Sequence, residues 1–86
     1  MIDLKDYKKL QPYEADLKRA WLAEYKLPTP RSEDMVIEEI LHKYEPGERV
    51  NWNCGICSLR AYTRVGRLYF EYLEAHPDKN KENKTK

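Results

Sequence analysis

Two cysteines three positions apart, Cys54 and Cys57, are the residues whose type and spacing most suggest chemistry. We expect them at the N-terminus of a helix, where exposed amides and the helix dipole favour a thiolate. Arg60, one turn further on, adds positive charge. A thiol redox site is therefore one hypothesis. The simpler one makes Cys57 a small core residue and Cys54 a partly exposed free thiol, because a structural disulfide is not expected in a cytoplasmic chain.

The segment around this pair, Trp52-Asn53-Cys54-Gly55-Ile56-Cys57, locally resembles the Trp-Cys-Gly-x-Cys motif of thioredoxin-like proteins. Asn53 is inserted after the tryptophan, and Ile56 stands where that family has proline. The resemblance would imply a strand that leads into the motif within a βαβ unit. No sheet is predicted for this chain, so the family's function is not carried over.

The same spacing is half of a zinc site. His76 lies roughly 28 Å beyond Cys57 along a continuous helix, and His42 falls opposite the apolar stripe of its own helix, so neither completes the site. Four thiolates would require two copies of the chain, each contributing Cys54 and Cys57. We therefore expect no cofactor, with zinc held between two copies as the alternative.

Three arginines follow the cysteines at helical spacing, Arg60, Arg64 and Arg67, and Arg49 is close to them in the sequence. A row of this kind is typical of a phosphate-contacting stripe, which makes a small nucleic-acid-binding regulator one alternative function. The pI of about 7.7 lies well below that of typical nucleic-acid-binding domains, so this alternative is not favoured.

The net charge of +1 hides an uneven distribution. Residues 31–48 hold six acidic and two basic side chains, whereas residues 49–70 hold four arginines and no acid. The acids of the predicted third helix are therefore the nearest partners for the arginine row, within the chain or across a dimer. Those candidates are Glu38, Glu39 and Glu45.

The spacing of apolar residues predicts an all-α fold, a small bundle of three to four helices. The predicted helices span residues 3–10, 12–26, 33–45 and 54–75. Ser32 is the expected N-cap of the third helix. Residues 1–76 form one domain, and residues 77–86 are a Lys-rich polar tail that we expect to be disordered.

The predicted fourth helix carries its five charges within an arc of about 80°, which leaves about 280° uncharged. It is therefore either a central, largely buried helix or a helix that also packs on another molecule. The residues of the uncharged arc that are candidates for such an interface are Tyr62, Val65, Tyr69, Tyr72 and Leu73. Gly66 costs up to about 1 kcal/mol within a helix, which is easier to understand if another helix crosses there.

Composition bounds the remaining functions. No apolar run reaches the roughly 20 residues of a membrane span, and the charged N-terminus lacks the apolar stretch of a signal peptide, so a cytoplasmic protein is expected. The sequence contains no Gly-rich phosphate loop and no catalytic triad within plausible reach. Seven tyrosines modestly favour an interface.

These observations predict a non-enzymatic helical module that self-associates or binds a protein partner through residues 54–75. Accessory or regulatory proteins, including phage-encoded ones, are compatible with such a short chain. The alternatives are the nucleic-acid-binding regulator and the intermolecular zinc or redox site.

Overall fold

The computed structural model describes residues 2–76, and within this range the chain is mostly helical with no strand. The all-α prediction is confirmed at that level. The helices are α1 (Leu4–Leu10), α2 (Glu14–Leu22), α3 (Arg31–Tyr44) and α4 (Gly55–Ala75), with a 3-10 turn at Gln11–Tyr13. Among the described helices, none is long and apolar enough to cross a membrane. The predicted tail, residues 77–86, lies outside the described residues.

The helix boundaries follow local sequence with two corrections. α2 ends at Leu22, four residues before the predicted Lys26, and Glu24 then adopts a positive φ of 58°. α3 begins at Arg31 with the extended Pro30 as its N-cap, so Ser32 lies in the first turn and does not cap. Proline has φ fixed near the helical value and no N–H to satisfy, which suits it to a helix start.

The three shorter helices all pack on α4, and α2 contacts it most extensively. They cover most of the wide uncharged arc of α4, so the predicted interface residues belong to the core, although Leu73 also lines a surface depression. Tyr62, Val65 and Tyr69 are fully buried, and Tyr72 and Leu73 are 5% and 7% exposed. The apolar surface left for a partner therefore lies mainly elsewhere.

Gly66 is the point where α2 crosses α4. A Cβ added there would lie 3.0 Å from the backbone oxygen of Leu17 and 3.2 Å from the Cβ of Trp21. The expectation that another helix crosses at this glycine is confirmed. The missing side chain lets the two helices approach closely, and it places Trp21 beside the middle of α4.

Tyrosine rings fill the space between α1 and α4. Tyr7 stacks on Tyr69 and Tyr72, with ring centroids 5.0 and 4.7 Å apart. The Tyr69 hydroxyl donates a hydrogen bond to the Glu14 carboxylate. Each buried ring therefore adds apolar area, and this hydroxyl finds an acceptor at the edge of the core.

A buried carboxylate ties α1 to α3. Asp6, 2% exposed, accepts hydrogen bonds from the Lys43 ammonium at 2.8 Å and from the Tyr44 hydroxyl. Burial acts to raise the pKa of Asp6, but these hydrogen bonds outweigh it and hold the pKa below its usual value of 3.8. The contribution of Asp6 to stability is therefore present above that value and is lost as the pH falls through the lowered pKa.

We expect Asp6→Asn to lower the free energy of unfolding at pH 7 by about 1–2 kcal/mol, because an amide accepts more weakly from these donors than a carboxylate does. Urea denaturation at pH 7 and at pH 2.5 measures this. The difference between variant and wild type should shrink as the pH falls towards the lowered pKa of Asp6. Equal stabilities at pH 7 would show that this contact does not contribute.

Candidate functional site

The cysteine pair lies where the sequence predicts, at the start of α4. Cys54 is the N-cap, and its sulfur accepts a hydrogen bond from the Cys57 amide at 3.2 Å. The expectation of two free thiols is wrong, because the two sulfurs lie at disulfide distance, with the Cα atoms 5.2 Å apart. No group of three or more metal-ligating side chains occurs within residues 2–76.

The four predicted arginines do not form one free stripe. Arg64 is paired with Glu45 at 2.8 Å and Glu48 at 3.1 Å, and Arg67 is 3.4 Å from Glu71. The expectation that the acids of α3 hold the arginine row is thus confirmed for Glu45, which caps the end of that helix.

The other two arginines are exposed. Arg49 and Arg60 have no ion pair within the described part of the chain. Arg49, Arg60 and Arg64 line a small crevice of about 20 Å³ that also reaches Cys57. The arginines therefore contribute to two different surfaces, and only the crevice brings Arg49 together with the cysteine pair.

A depression on the surface lies between α2 and the first half of α4. It has a volume of about 450 Å³ and combines apolar side chains with a basic rim. The apolar contribution includes Trp21 and Ile56, which are 37% and 72% exposed. Its lining residues are Trp21, Glu24, Ile56, Leu59, Arg60, Thr63, Arg64 and Arg67. The charges of this basic groove, three arginines and one glutamate, sum to +2.

On the other side of Trp21, two adjoining depressions of about 370 and 330 Å³ follow the second half of α4. Like the basic groove, they combine apolar side chains with charged ones, but most of the charged side chains here are acidic. Leaving aside Arg67, which also lines the basic groove, their lining residues are Trp21, Glu14, Lys18, Leu22, Phe70, Glu71, Leu73 and Glu74. With Arg67 counted, three glutamates against two basic side chains sum to −1, so this acidic groove is opposite in sign to the basic groove.

We call the two grooves together with Trp21 the α2–α4 face. Comparisons with known protein families, with curated proteins and with solved structures found no match. The α2–α4 face has an exposed indole in its centre and opposite charges on its two sides.

The sequence contains weak signals of this face. Ile56 is the apolar residue that falls within the charged arc of α4, next to Glu74 on the helical wheel. Trp21 belongs to the apolar stripe of α2, where its partial exposure could not be predicted because α2 ends one residue later. The arginines of the face are therefore predictable from the sequence, whereas its apolar centre is not.

A cluster of three acidic side chains that the sequence does not predict lies where α2, α3 and α4 meet, and one of them, Glu33, is buried. The Tyr62 hydroxyl lies 3.2 Å from Glu33 and 2.7 Å from Asp34. Glu33 is 6% exposed, and its pKa is raised to about 7. Burial is the main cause, and the hydrogen bond with Asp16 and the negative charge of Asp16 add to it. Below a pH of about 7, Glu33 therefore holds a proton in the folded chain, while the pKa of its partner Asp16 is lowered.

Proposed function

We propose that this chain is a small helical bundle that acts as a non-enzymatic interaction module and self-associates through the α2–α4 face. The observation that carries the proposal is the self-complementarity of this face. Its two halves are opposite in charge, with Arg60 on one side and Glu74 on the other, neither of them in an ion pair within residues 2–76, and the exposed indole of Trp21 lies between them. A two-fold axis requires a surface of this kind, because each patch must find its complement on an identical copy.

The arrangement follows from the position of Trp21 along α4. Arg60 and Glu74 are 14 residues apart, or about 21 Å along the helix. Trp21 contacts α4 at Gly66, which lies near the midpoint between them. A two-fold axis beside Trp21 with antiparallel α4 helices therefore places Arg60 of each copy opposite Glu74 of the other. The two indoles meet at the centre, where tryptophan contributes most to binding energy.

The charge pattern favours a second copy over nucleic acid as the occupant. A polyanion would be repelled by Glu71 and Glu74, and two of the predicted arginines are already paired with acids of the same chain. A second copy, in contrast, supplies both signs of charge in the required order. This arrangement also separates the two cysteine pairs by roughly the length of α4, about 30 Å, so a zinc site shared across this interface is not part of the proposal.

Charge reversal tests the arrangement by sedimentation velocity over a range of protein concentrations. We expect Arg60→Glu and Glu74→Arg, made separately, each to weaken the dimer by tenfold or more, because every substitution acts twice in a two-fold interface. Mixing the two variants should restore association, since each unlike pair then opposes glutamate to arginine. Chains that remain monomeric in the mixture as well as alone would contradict the antiparallel arrangement.

Two further variants separate this interface from general effects. Trp21→Ala should weaken the dimer about a hundredfold while the chain stays folded, because the indole is partly exposed and its Cβ contact with α4 is kept. Lys5→Glu, an exposed position of α1 that lines neither groove, should leave the association constant unchanged. A wild-type chain that is monomeric at hundreds of micromolar would overturn the proposed function.

A further inference from the structure

The cysteine pair stabilises the fold little as a cross-link. A disulfide contributes mainly by restricting the unfolded chain, and its effect grows with the length of the loop that it closes. Here only Gly55 and Ile56 lie between the two cysteines. Neither cysteine belongs to the buried core, which consists of residues on all four helices and Ile2. The pair therefore requires an explanation other than stability.

The surroundings of the pair favour negatively charged sulfur. α4 is 21 residues long and has no acidic residue in its first turn, so the partial positive charge at its N-terminus is not neutralised there. The sulfur of Cys54 accepts a hydrogen bond from the Cys57 amide. Amides and a dipole of this kind lower the pKa of a thiol.

A second and independent feature acts in the same direction. Cys57 lines the small crevice that Arg49, Arg60 and Arg64 share. Glu48 also lines this crevice, and its carboxylate forms an ion pair with Arg64 at 3.1 Å. Arg49 and Arg60, without ion pairs in residues 2–76, remain to stabilise a thiolate on Cys57.

We propose that Cys54 and Cys57 form a redox-active pair that exchanges with an external dithiol. A thiolate of the dithiol attacks the Cys54 sulfur, a mixed disulfide forms, and the bond between the two cysteine sulfurs breaks. The electron pair leaves on Cys57 as a thiolate beside the arginines. The second thiol of the dithiol loses its proton to solvent and attacks the dithiol sulfur that is bonded to Cys54. A disulfide forms within the dithiol, and Cys54 is released as a thiolate. The dithiol is oxidised by two electrons and the pair is reduced.

Direct titration of the reduced chain tests this assignment. Protein reduced with dithiothreitol and freed of it is titrated by absorbance at 240 nm, and its alkylation by iodoacetamide is timed at pH 6. We expect one thiol pKa well below the usual 8.5 and alkylation about tenfold faster than that of a cysteine peptide at the same pH. A lowest thiol pKa near 8.5 would overturn the proposal.

Matched arginine variants separate the crevice from the rest of the surface. Arg49→Gln should slow alkylation about threefold at pH 6, since one positive charge near the sulfur is lost. Arg31→Gln, an exposed arginine of α3 outside the crevice, should not change the rate. Neither residue lines the α2–α4 face, so the outcome does not depend on whether the chain dimerises. Equal rates for the two variants would contradict the role of the crevice.

Equilibration in mixtures of reduced and oxidised dithiothreitol, followed by acid quenching and mass measurement of alkylated chains, tests the exchange itself. The pair should interconvert fully and reversibly while the helical circular dichroism is unchanged. A pair that is reduced only when the chain unfolds would overturn the proposal. So would a reduced chain that retains zinc at one ion per two chains through dialysis against a chelator, because that result assigns the pair to metal binding.

Discussion

Gly66→Val should lower the free energy of unfolding by about 3 kcal/mol, which is a large fraction of the stability of a domain of this size. The Cβ of any residue at this position meets the Leu17 carbonyl oxygen at 3.0 Å and the Trp21 Cβ at 3.2 Å. The obstacle is the backbone of α2, which cannot rotate away as the end of a side chain can. A branched side chain adds two methyl groups to this contact, so α2 must move outwards.

A graded series separates helix propensity from crowding. Gly66→Ala gains up to about 1 kcal/mol of helix propensity but meets the same backbone atom, so we expect a net loss of about 1 kcal/mol. Gly55→Ala is the matched control in the same helix, because a Cβ there has no neighbour within 4 Å. It should be neutral or slightly stabilising. Urea denaturation monitored by circular dichroism gives all three values.

The crossing at Gly66 also determines where the α2–α4 face lies. Trp21 reaches the middle of α4 because the glycine admits α2 so closely. Gly66→Ala should therefore weaken self-association as well as stability, since the indole is displaced from the centre of the face. The dimer dissociation constant should be measured at concentrations where the variant is fully folded. An unchanged constant would show that the position of Trp21 in the face does not depend on how closely α2 approaches α4 at Gly66.

Periodicity was sufficient to predict the helices, because each has an apolar stripe that the others bury. α1, α3 and α4 begin and end within two residues of the predicted limits. The end of α2 was missed because Glu24 leaves the helix with a positive φ, which nothing in its residue type indicates. Ser32 is the expected N-cap of a helix over residues 33–45 because a hydroxyl side chain is the more common cap, whereas Pro30 is the N-cap in the structure.

The candidate site was less accessible to sequence analysis, for a geometrical reason. A helical wheel gives the width of the uncharged arc of α4 but not how much of it three short helices will cover. They cover the part that holds Tyr62 and Tyr69 and leave Phe70 partly exposed at its edge, beside Ile56 in the charged arc. The exposed centre of the face is provided by Trp21 on another helix, so it depends on a crossing point that only the folded chain defines.

The cysteines show a different limit. The expectation of free thiols rested on the assumed compartment, whereas the pairing follows from local geometry. Cys54 at the N-cap and Cys57 in the first turn bring their Cα atoms to 5.2 Å, within the range that a disulfide requires. The spacing alone would have been sufficient to predict that the two sulfurs can meet.

The stability of the chain should decrease as the pH rises from about 5 to about 8, because of Glu33. Burial is the main cause of its raised pKa, followed by the hydrogen bond and the negative charge of Asp16, and Asp34 adds a smaller effect of the same sign. The hydrogen bond with the Tyr62 hydroxyl acts in the opposite direction but does not compensate. The pKa of about 7 in the folded chain lies above the value of 4.5 for an unperturbed glutamate.

The sign of the effect follows from proton binding. Between these two values the folded chain retains a proton that the unfolded chain has released, so raising the pH favours unfolding. The stabilisation is complete below about 4.5 and is lost as the pH passes 7. With about 1.4 kcal/mol for each pH unit, the total change is on the order of 3 kcal/mol. Urea denaturation at half-unit intervals from pH 4.5 to 8.5 measures it.

Glu33→Gln should abolish this slope and exceed the wild type in stability at pH 8. The amide has the shape of the protonated acid, so its NH2 group can donate to Asp16 while its oxygen faces the Tyr62 hydroxyl, and it never acquires a charge. Glu39→Gln removes an exposed carboxylate from the same helix and should retain the wild-type slope. If Glu33→Gln retained that slope, another group would be responsible. A wild-type stability that rose with pH would mean that Glu33 is ionised in the folded chain.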